Sequence, residues 1–345
     1  MNKLQWQIEP ISYNIEQLWV DWQALFVNCH DHNPMLDTRF IQPLFHYFPA
    51  NVFIVRGIIK NQIAAILLLE KSTFGSWKNY MPSQSQLALV LVKTSVDFNF
   101  KELMASLGGG IFKLDIFSLD PQEHSSIIND VKQPEVYAQN ITLQIDSSFE
   151  DYWRARPKRL RKDISKNLNR LAKDKIEVVH KTIDEPYQIK LAVDRYGMLE
   201  SQGWKGKSGT AIHPANTQGQ FYRALLDGFA QNRQAQVFES YIEQKLVASR
   251  LCVFNKDTLI ILKTTFDEEY SYYALGNLNR FKLIESLFEY KKSKCVDFYT
   301  NASKEQLYWS TEQRSMYNAT CYRNAFIEGA ATVTKQAKRW LKLVK

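Results

Sequence analysis

The stretch from Lys245 to Trp309 constrains the fold more than any other part of the chain. Leu246 to Phe254 and Thr258 to Phe266 are apolar, β-branched runs separated by the turn signal Asn255-Lys256-Asp257, and they read as adjacent strands. A polar and aromatic segment, Glu268 to Asn277, follows. Phe281, Ile284, Leu287 and Phe288 then recur at helical spacing, with Lys291, Lys292 and Lys294 at the negative end of the helix dipole. Val296, Phe298 and Tyr299 form a last short strand before Thr300-Asn301-Ala302-Ser303. Strand, loop, helix, strand is a parallel crossover, and its loop lies over the helix N-terminus. Backbone N–H groups there have no partner of their own and suit an anion such as a pyrophosphate. Neither G-x-x-x-x-G-K-[ST] nor G-x-G-x-x-G occurs, so this loop does not argue for a nucleoside triphosphate or a dinucleotide.

A chain of 345 residues suits two domains, and 45% hydrophobic with 13% aromatic residues is enough for substantial cores. The longest apolar runs, such as Ile63 to Leu69, fall far short of the ~20 residues that span a bilayer. The N-terminus lacks the apolar core of a secretory signal, and Cys29, Cys252, Cys295 and Cys321 show no C-x-x-C spacing. Reduced thiols in a cytoplasm are therefore expected. Charge is unevenly divided: residues 1–146 carry 10 Lys and Arg against 14 Asp and Glu, and residues 147–345 carry 34 against 22. The basic half holds the crossover, and its field would draw in a polyanionic donor, nucleic acid or anionic lipid.

Along the chain, Ile15, Leu18, Trp19, Trp22, Leu25 and Phe26 predict a helix over 14–28, and Asp37 caps a second with Phe40, Leu44, Phe45 and Phe48 inward. His30, Asp31, His32 and His46 lack ligand spacing and read as polar residues on a loop and a helix flank, so no metal is expected. Val52–Ile58 and Ile63–Lys71 read as a hairpin, and Gln86–Val92 and Ile111–Phe117 as strands. Gly108-Gly109-Gly110 reads as a helix C-cap and turn between the Leu103–Leu107 helix and the strand that follows. Glu135–Ile145 closes the sheet. Residues 1–146 thus form an α/β half similar in element order to the second half, without its glycine loop, and read as structural.

Ser148 opens a helix that Pro157 interrupts and that runs to Lys173. Ten basic residues lie between Arg154 and Lys175, against Asp163 and Asp174, while Leu160, Ile164, Leu168 and Leu171 supply an apolar stripe. Nucleic-acid binding is one reading of this helix, and a substrate-facing or solvated helix is the other. Pro186–Gln202 reads as a helix ended by Gly203, Trp204-Lys205-Gly206 as a loop, Asn216–Asn232 as a helix, and Ala235–Tyr241 as the strand before Leu246–Phe254. Ser315–Tyr322 is the last strand. Residues 324–345 read as a basic amphipathic helix, suited to an anionic membrane surface or to docking on its own protein.

The segment Glu200-Ser201-Gln202-Gly203-Trp204-Lys205-Gly206-Lys207-Ser208-Gly209-Thr210-Ala211-Ile212, the run Gln220 to Leu225, and Phe266 to Tyr270 before the glycine loop together resemble the CelD/BcsL-type acyltransferase family. That family has a double-GNAT fold related to the FemABX peptidyltransferases. The resemblance covers about Ser148 to Arg323 and implies two tandem GNAT-like domains of mixed α/β type, 1–146 and 147–323, followed by the helix 324–345. It implies acyl transfer from acetyl-CoA or another acyl-CoA to an amine or hydroxyl, with the pyrophosphate held by Ser271, Leu275, Gly276, Asn277, Leu278 and Arg280. Trp204 and Lys205 would wall the acceptor site. The chain departs from the pattern in having Ala274-Leu275-Gly276 where the family has Ser-Pro-Gly. Trp309 fits a position after the Asp297 strand, but Gln306 stands where the family has Lys, with Lys304 as a replacement.

Acyl transfer needs a neutral nucleophile, a proton path and a donor that polarises the thioester carbonyl. Asp267 and Asp297 lie at the ends of parallel strands, where ligands gather in open α/β sheets, and one of them is the expected base, with Tyr270 or Tyr299 as acid. The competing reading has Asp267 capping a turn and Asp297 paired with a lysine. No Ser-His-Asp or Cys-His pattern occurs, which leaves direct attack in a ternary complex. Three functions remain open: a cytoplasmic acyl-CoA-dependent transferase acting on a small molecule, sugar nucleotide or polysaccharide precursor; a FemABX-like transferase using aminoacyl-tRNA; and a binding module without chemistry. The oligomeric state is not legible.

Overall fold

The computed structural model describes residues 3–255 and 257–331. They divide into two compact units that are not contiguous in sequence. Residues 1–31, 49–138 and 315 onward make the first, and 32–48 and 139–314 the second. A single boundary near residue 146 therefore does not describe the division, because the segment around the Asp37-capped helix joins the second unit.

From the N-terminus, β1 (Gln5–Pro10) and α1 (Ile15–Cys29) precede α2 (Thr38–Tyr47), which lies in the second unit. The first unit resumes with β2 (Val52–Ile59), β3 (Gln62–Thr73), β4 (Ser76–Asn79), β5 (Val90–Val92), α3 (Phe100–Ser106), β6 (Lys113–Leu119) and α4 (Pro121–Asn129). β7 (Glu135–Gln144) passes from the first unit into the second at residue 139, and the second continues through α5 (Phe149–Arg154), α6 (Lys158–Lys173), β8 (Val178–Ile183), α7 (Pro186–Gln202), α8 (Trp204–Lys207), α9 (Thr217–Ala230), β9 (Ala235–Ile242) and β10 (Lys245–Phe254). β11 (Thr258–Phe266), α10 (Leu275–Tyr290), β12 (Cys295–Asp297) and α11 (Lys304–Leu307) complete it, and β13 (Glu312–Tyr322) returns to the first unit.

In the first unit the strands run β1-β2-β3-β4-β6-β13, with β5 also on β3. Lys60 and Asn61 both take positive φ, 48° and 61°, which matches the right-handed twist of the β2–β3 hairpin. Of the run read as a strand over 86–92, only Val90–Val92 joins the ladder. The preceding Pro82–Ser85 segment closes a turn, and the short β4 takes the β3 edge over Leu69–Thr73. His30 is buried, not a loop residue: its Nδ1 meets Glu123 Oε2 at 2.8 Å and its Nε2 lies 3.2 Å from the Val92 carbonyl, which ties the end of α1 to α4 and β5. Among the described residues no group of three or more His, Cys, Asp or Glu is placed to hold a metal.

The second unit's strands run β7-β12-β11-β10-β9-β8, antiparallel except for the parallel pair β11–β12. One face carries α5, α6 and α10. Tyr152, Leu160, Ile164, Leu171, Leu278, Phe281, Ile284 and Leu287 share an apolar core there with Leu259, Ile261 and Val296, each side chain contributing roughly 1.5–3 kcal/mol on burial. Pro157 separates α5 from α6, as its missing N–H requires. α7 and α9 pack against each other and against β9 and β10, and α2 packs on α9 with Phe40 edge-on to Phe221. α2 is capped by Asp37, whose carboxylate accepts from Arg39 N at 2.8 Å. Residues 325–331 are helical; the remainder of the helix read over 324–345 lies outside the described residues.

Candidate active site

β11 and β12 pair only over Thr258–Ile260 and Cys295–Asp297. β12 then ends, and Tyr299 at φ 37° turns the chain away. β11 runs on for six more residues with β10 on one side and, among the described residues, no strand on the other. The register against β10 slips where the pairing with β12 stops: Leu251 faces Lys263 and Cys252 faces Ile261, so Leu262 is an extra, bulged residue. A bulge twists a strand and frees backbone groups from the ladder. The crossover is thus splayed, with backbone N–H and C=O groups of β11 available to an extended ligand, and an N–H there can polarise a carbonyl.

α10 begins at the far end of the same strand. Ala274 takes the left-handed conformation (φ 51°), and its carbonyl accepts from Asn277 N and Leu278 N at 2.9 and 3.2 Å. The N–H groups of Leu275 and Gly276 are left at the positive end of the helix dipole. A Cβ on Gly276 would meet only the Phe266 ring, at 3.0 Å. Beneath, Arg250 is 2% exposed and donates to the Gly276 carbonyl at 2.5 Å, while its Nε and Nη1, like Arg280 Nε, are buried without a hydrogen-bond partner. Burial first, and then repulsion from Arg280, pulls the Arg250 guanidinium down; burial does the same to Arg280. No carboxylate pairs with either among the described residues, so this end of the unit is positive and short of an anion.

The side toward α7–α9 holds a different cluster. Glu200, 3% exposed, accepts from Tyr196 Oη (2.9 Å), Lys205 Nζ (2.5 Å) and Ile212 N (2.7 Å). Lys263, the first residue past the bulge, is half-buried with its ammonium 5.4 Å from the centre of the Tyr222 ring. Trp204 to Lys207 is one turn of helix, not a loop, because Gly206 lets that turn fold against α7. A Cβ there would sit 1.8 Å from the Ser201 carbonyl oxygen. Gly206→Ala is therefore expected to cost about 1–3 kcal/mol and to shift Trp204 fluorescence. Gly203→Ala, whose Cβ would meet the Glu268 carboxylate at 3.0 Å and the Glu200 carbonyl oxygen at 3.7 Å, should cost less in thermal melts.

Residues 158–306 match the acetyltransferase (GNAT) domain family. That segment runs from the start of α6 into α11 and contains the whole splayed crossover. No curated protein matches the chain in sequence. Among solved structures, the C-terminal domain of a putative lysylphosphatidylglycerol synthetase from Agrobacterium fabrum superposes with a TM-score of 0.55 at 11% identity, covering 92% of this chain and 95% of that one. FemX superposes with a TM-score of 0.55 at 8% identity, covering 87% and 95%. The fold is a two-domain GNAT fold of mixed α/β type.

Within the GNAT domain the residues singled out in the sequence fall into separate groups. Asp267 caps the 3-10 turn Glu268–Tyr273 by accepting from Glu269 N (3.0 Å), and pairs with Lys245 at 2.9 Å. Tyr270 lies in that turn, its N–H on the Asp267 carbonyl at 3.2 Å. Asp297 is 4% exposed. Its Oδ1 accepts from Asn140 Nδ2 (2.7 Å) and Tyr299 N (2.9 Å), and its Oδ2 from Arg314 at 2.5 Å, a partner from β13 and not a lysine. Burial raises its carboxyl pKa against the opposing pull of Arg314. Tyr299 is buried and its Oη accepts from Asn33 at 2.6 Å. Asp297 lies opposite Ile260 and Asp267 follows seven residues later, so at ~3.3 Å per residue they are about 20 Å apart. The two carboxylates do not form a pair.

Trp204 is 64% exposed, and its backbone N–H donates to Glu268 Oε1 at 2.9 Å, which joins α8 to the 3-10 turn. Trp309 is core: 2% exposed, tilted against Trp153, with Arg280 5.5 Å from its ring centre. Leu275 and Leu278 are buried, so only their backbone can face a ligand; Ser271, Asn277 and Lys304 are exposed. Gln306 closes a capping box with Ser303. Glu200, Arg250 and Lys263 carry the site's buried charge. Of these only Glu200 had a sequence signal, its place five residues before Lys205.

A groove of about 810 Å³ runs along α6, lined by Lys158, Arg161, Lys162, Lys166, Arg170 and Lys173, with Tyr272 of the 3-10 turn at its edge. Arg170 donates to the Tyr272 carbonyl at 2.7 Å and its guanidinium lies 4.1 Å from the centre of that ring. Six cations on one helical face thus adjoin the turn that leads into α10.

Proposed function

We propose that the chain is an N- or O-acyltransferase of the CelD/BcsL type, moving an acyl group from acetyl-CoA or another acyl-CoA to an amine or hydroxyl of a small molecule, sugar nucleotide or polysaccharide precursor in a cytoplasmic ternary complex. The observation that carries the reading is the splay of β11 from β12 at a bulge, ahead of a helix N-terminus underlain by an unpaired arginine. The pantetheine amides would hydrogen-bond along the free edge of β11, and the pyrophosphate would sit on the N–H groups of Leu275 and Gly276. A β11 N–H would polarise the thioester carbonyl. No metal is needed for this chemistry.

The groove along α6 supports a second reading, because six cations exceed what the phosphates of one CoA require. In that reading the donor is an aminoacyl-tRNA, whose phosphodiester backbone would lie along α6 with its acylated end at the splay.

Calorimetric titration with acetyl-CoA, CoA and bulk tRNA separates the two. Micromolar acetyl-CoA binding that survives moderate salt supports the first. Binding of tRNA that falls steeply with salt, with RNA copurifying at low salt, supports the second. Binding of none would leave a fold without this chemistry and overturn both. Among the described residues no helix is long and apolar enough to cross a membrane.

A further inference from the structure

The transfer reaction needs a base, and the carboxylates at the strand ends are engaged elsewhere. We infer that Lys263 is the general base that deprotonates the acceptor, with Glu200 and Lys205 positioning it; the inference rests on the acyltransferase reading above. Lys263 stands on the length of β11 that has no strand on its far edge among the described residues, immediately after the bulged Leu262 and beyond the last residue paired with β12. It faces the α7–α9 side, where Trp204 is exposed.

The groups around it decide its charge. α7 brings Glu200, α8 Lys205 and α9 the Tyr222 ring, and on β10 the residue opposite is the uncharged Leu251. Glu200 is already neutralised by Lys205 at 2.5 Å and saturated by Tyr196 and Ile212. No carboxylate is paired with Lys263 among the described residues. Burial first, then the Lys205 ammonium, lowers its affinity for a proton, and Glu200 opposes them. The Tyr222 face attracts the ammonium, but burial and the neighbouring Lys205 charge act against it and hold this amine toward its neutral form.

In the step, the Lys263 amine takes one proton from the acceptor ammonium. The acceptor nitrogen bonds to the thioester carbon, the carbon–sulfur bond breaks, and the thiolate leaves with the second nitrogen-bound proton as free thiol. Nothing is oxidised or reduced.

Two measurements test this. Trace acetic anhydride labelling across a pH series, read lysine by lysine by mass spectrometry, needs no substrate. The labelling midpoint of Lys263 is expected below that of exposed Lys304. It should move up in Lys205→Gln, which removes a repelling charge and frees Glu200, and down in Glu200→Gln. A midpoint equal to that of Lys304, or one unmoved by both variants, overturns the assignment whatever the donor is.

The second measurement follows thiol release from acetyl-CoA with two acceptors: glucosamine, whose amine must lose a proton, and hydroxylamine, already neutral near physiological pH. Lys263→Gln and Lys263→Arg should lose about 100-fold or more with glucosamine and far less with hydroxylamine. Equal losses with both would overturn the base role. If wild-type protein releases no thiol with either, the acyl-CoA reading fails, while the labelling still decides the state of Lys263.

Discussion

Gly276→Asp is expected to weaken acetyl-CoA binding, by up to about 1000-fold. The substitution sets a carboxylate at the second position of α10, beside the N–H groups assigned to the pyrophosphate. Two like charges about 4 Å apart repel by about 1 kcal/mol in bulk water and about 4 kcal/mol at the effective dielectric of a protein surface, a loss of roughly fivefold to 1000-fold in affinity. The fold should survive, because the new Cβ meets only the half-exposed Phe266 ring at 3.0 Å and an acidic residue in the first turn suits the helix dipole. Gly276→Ala separates charge from shape: it should bind within a few-fold of wild type. Equal losses in both variants would make the site a matter of close approach, and undiminished binding by Gly276→Asp would remove α10 from the donor site.

The framework around that site was legible where local chemistry determines it. Pro186 at the first position and Gly203 just past the end bound α7 without any tertiary help, and Pro157 splits α5 from α6 for the same kind of reason. The crossover followed from the switch between a β-branched run and a 3.6-residue repeat. Features that depend on distant partners were not legible. Leu262, the bulged residue, is simply the last of the apolar run Leu259–Leu262, so nothing in composition marks it. Lys263 carries no sequence signal of its own, because its burial depends on the helices packed over β11. His30 looked like a loop residue because Glu123, 93 positions away, is what makes its burial tolerable. The exchange of residues 32–48 into the second unit leaves no trace in local pattern, since α2 is amphipathic wherever it docks. The two carboxylates show the limit of reasoning from strand ends. Position predicted proximity to ligand, but the partners Lys245, Asn140 and Arg314 fix what each acid is occupied with.

Asp297 tests that last distinction most directly. Its removal is expected to destabilise the second unit by about 3–5 kcal/mol, the cost of taking one member from a buried ion pair. In Asp297→Ala, Arg314, whose side chain is 12% exposed, would keep its place over Tyr299 but lose the Asp297 carboxylate, and Asn140 and Tyr299 N would each lose an acceptor. A fall in melting temperature on the order of 10 °C corresponds to such a loss. The double variant Asp297→Ala with Arg314→Ala should recover part of it, because it removes both members of the pair. If Asp297 instead acted as the base, Asp297→Asn would melt close to wild type, and thiol release would collapse with glucosamine but not with hydroxylamine. If it holds β12 to its neighbours, Asp297→Asn should lose stability in urea titrations and affect both acceptors alike. Wild-type melting of Asp297→Ala would refute the structural role outright and return this carboxylate to the reaction.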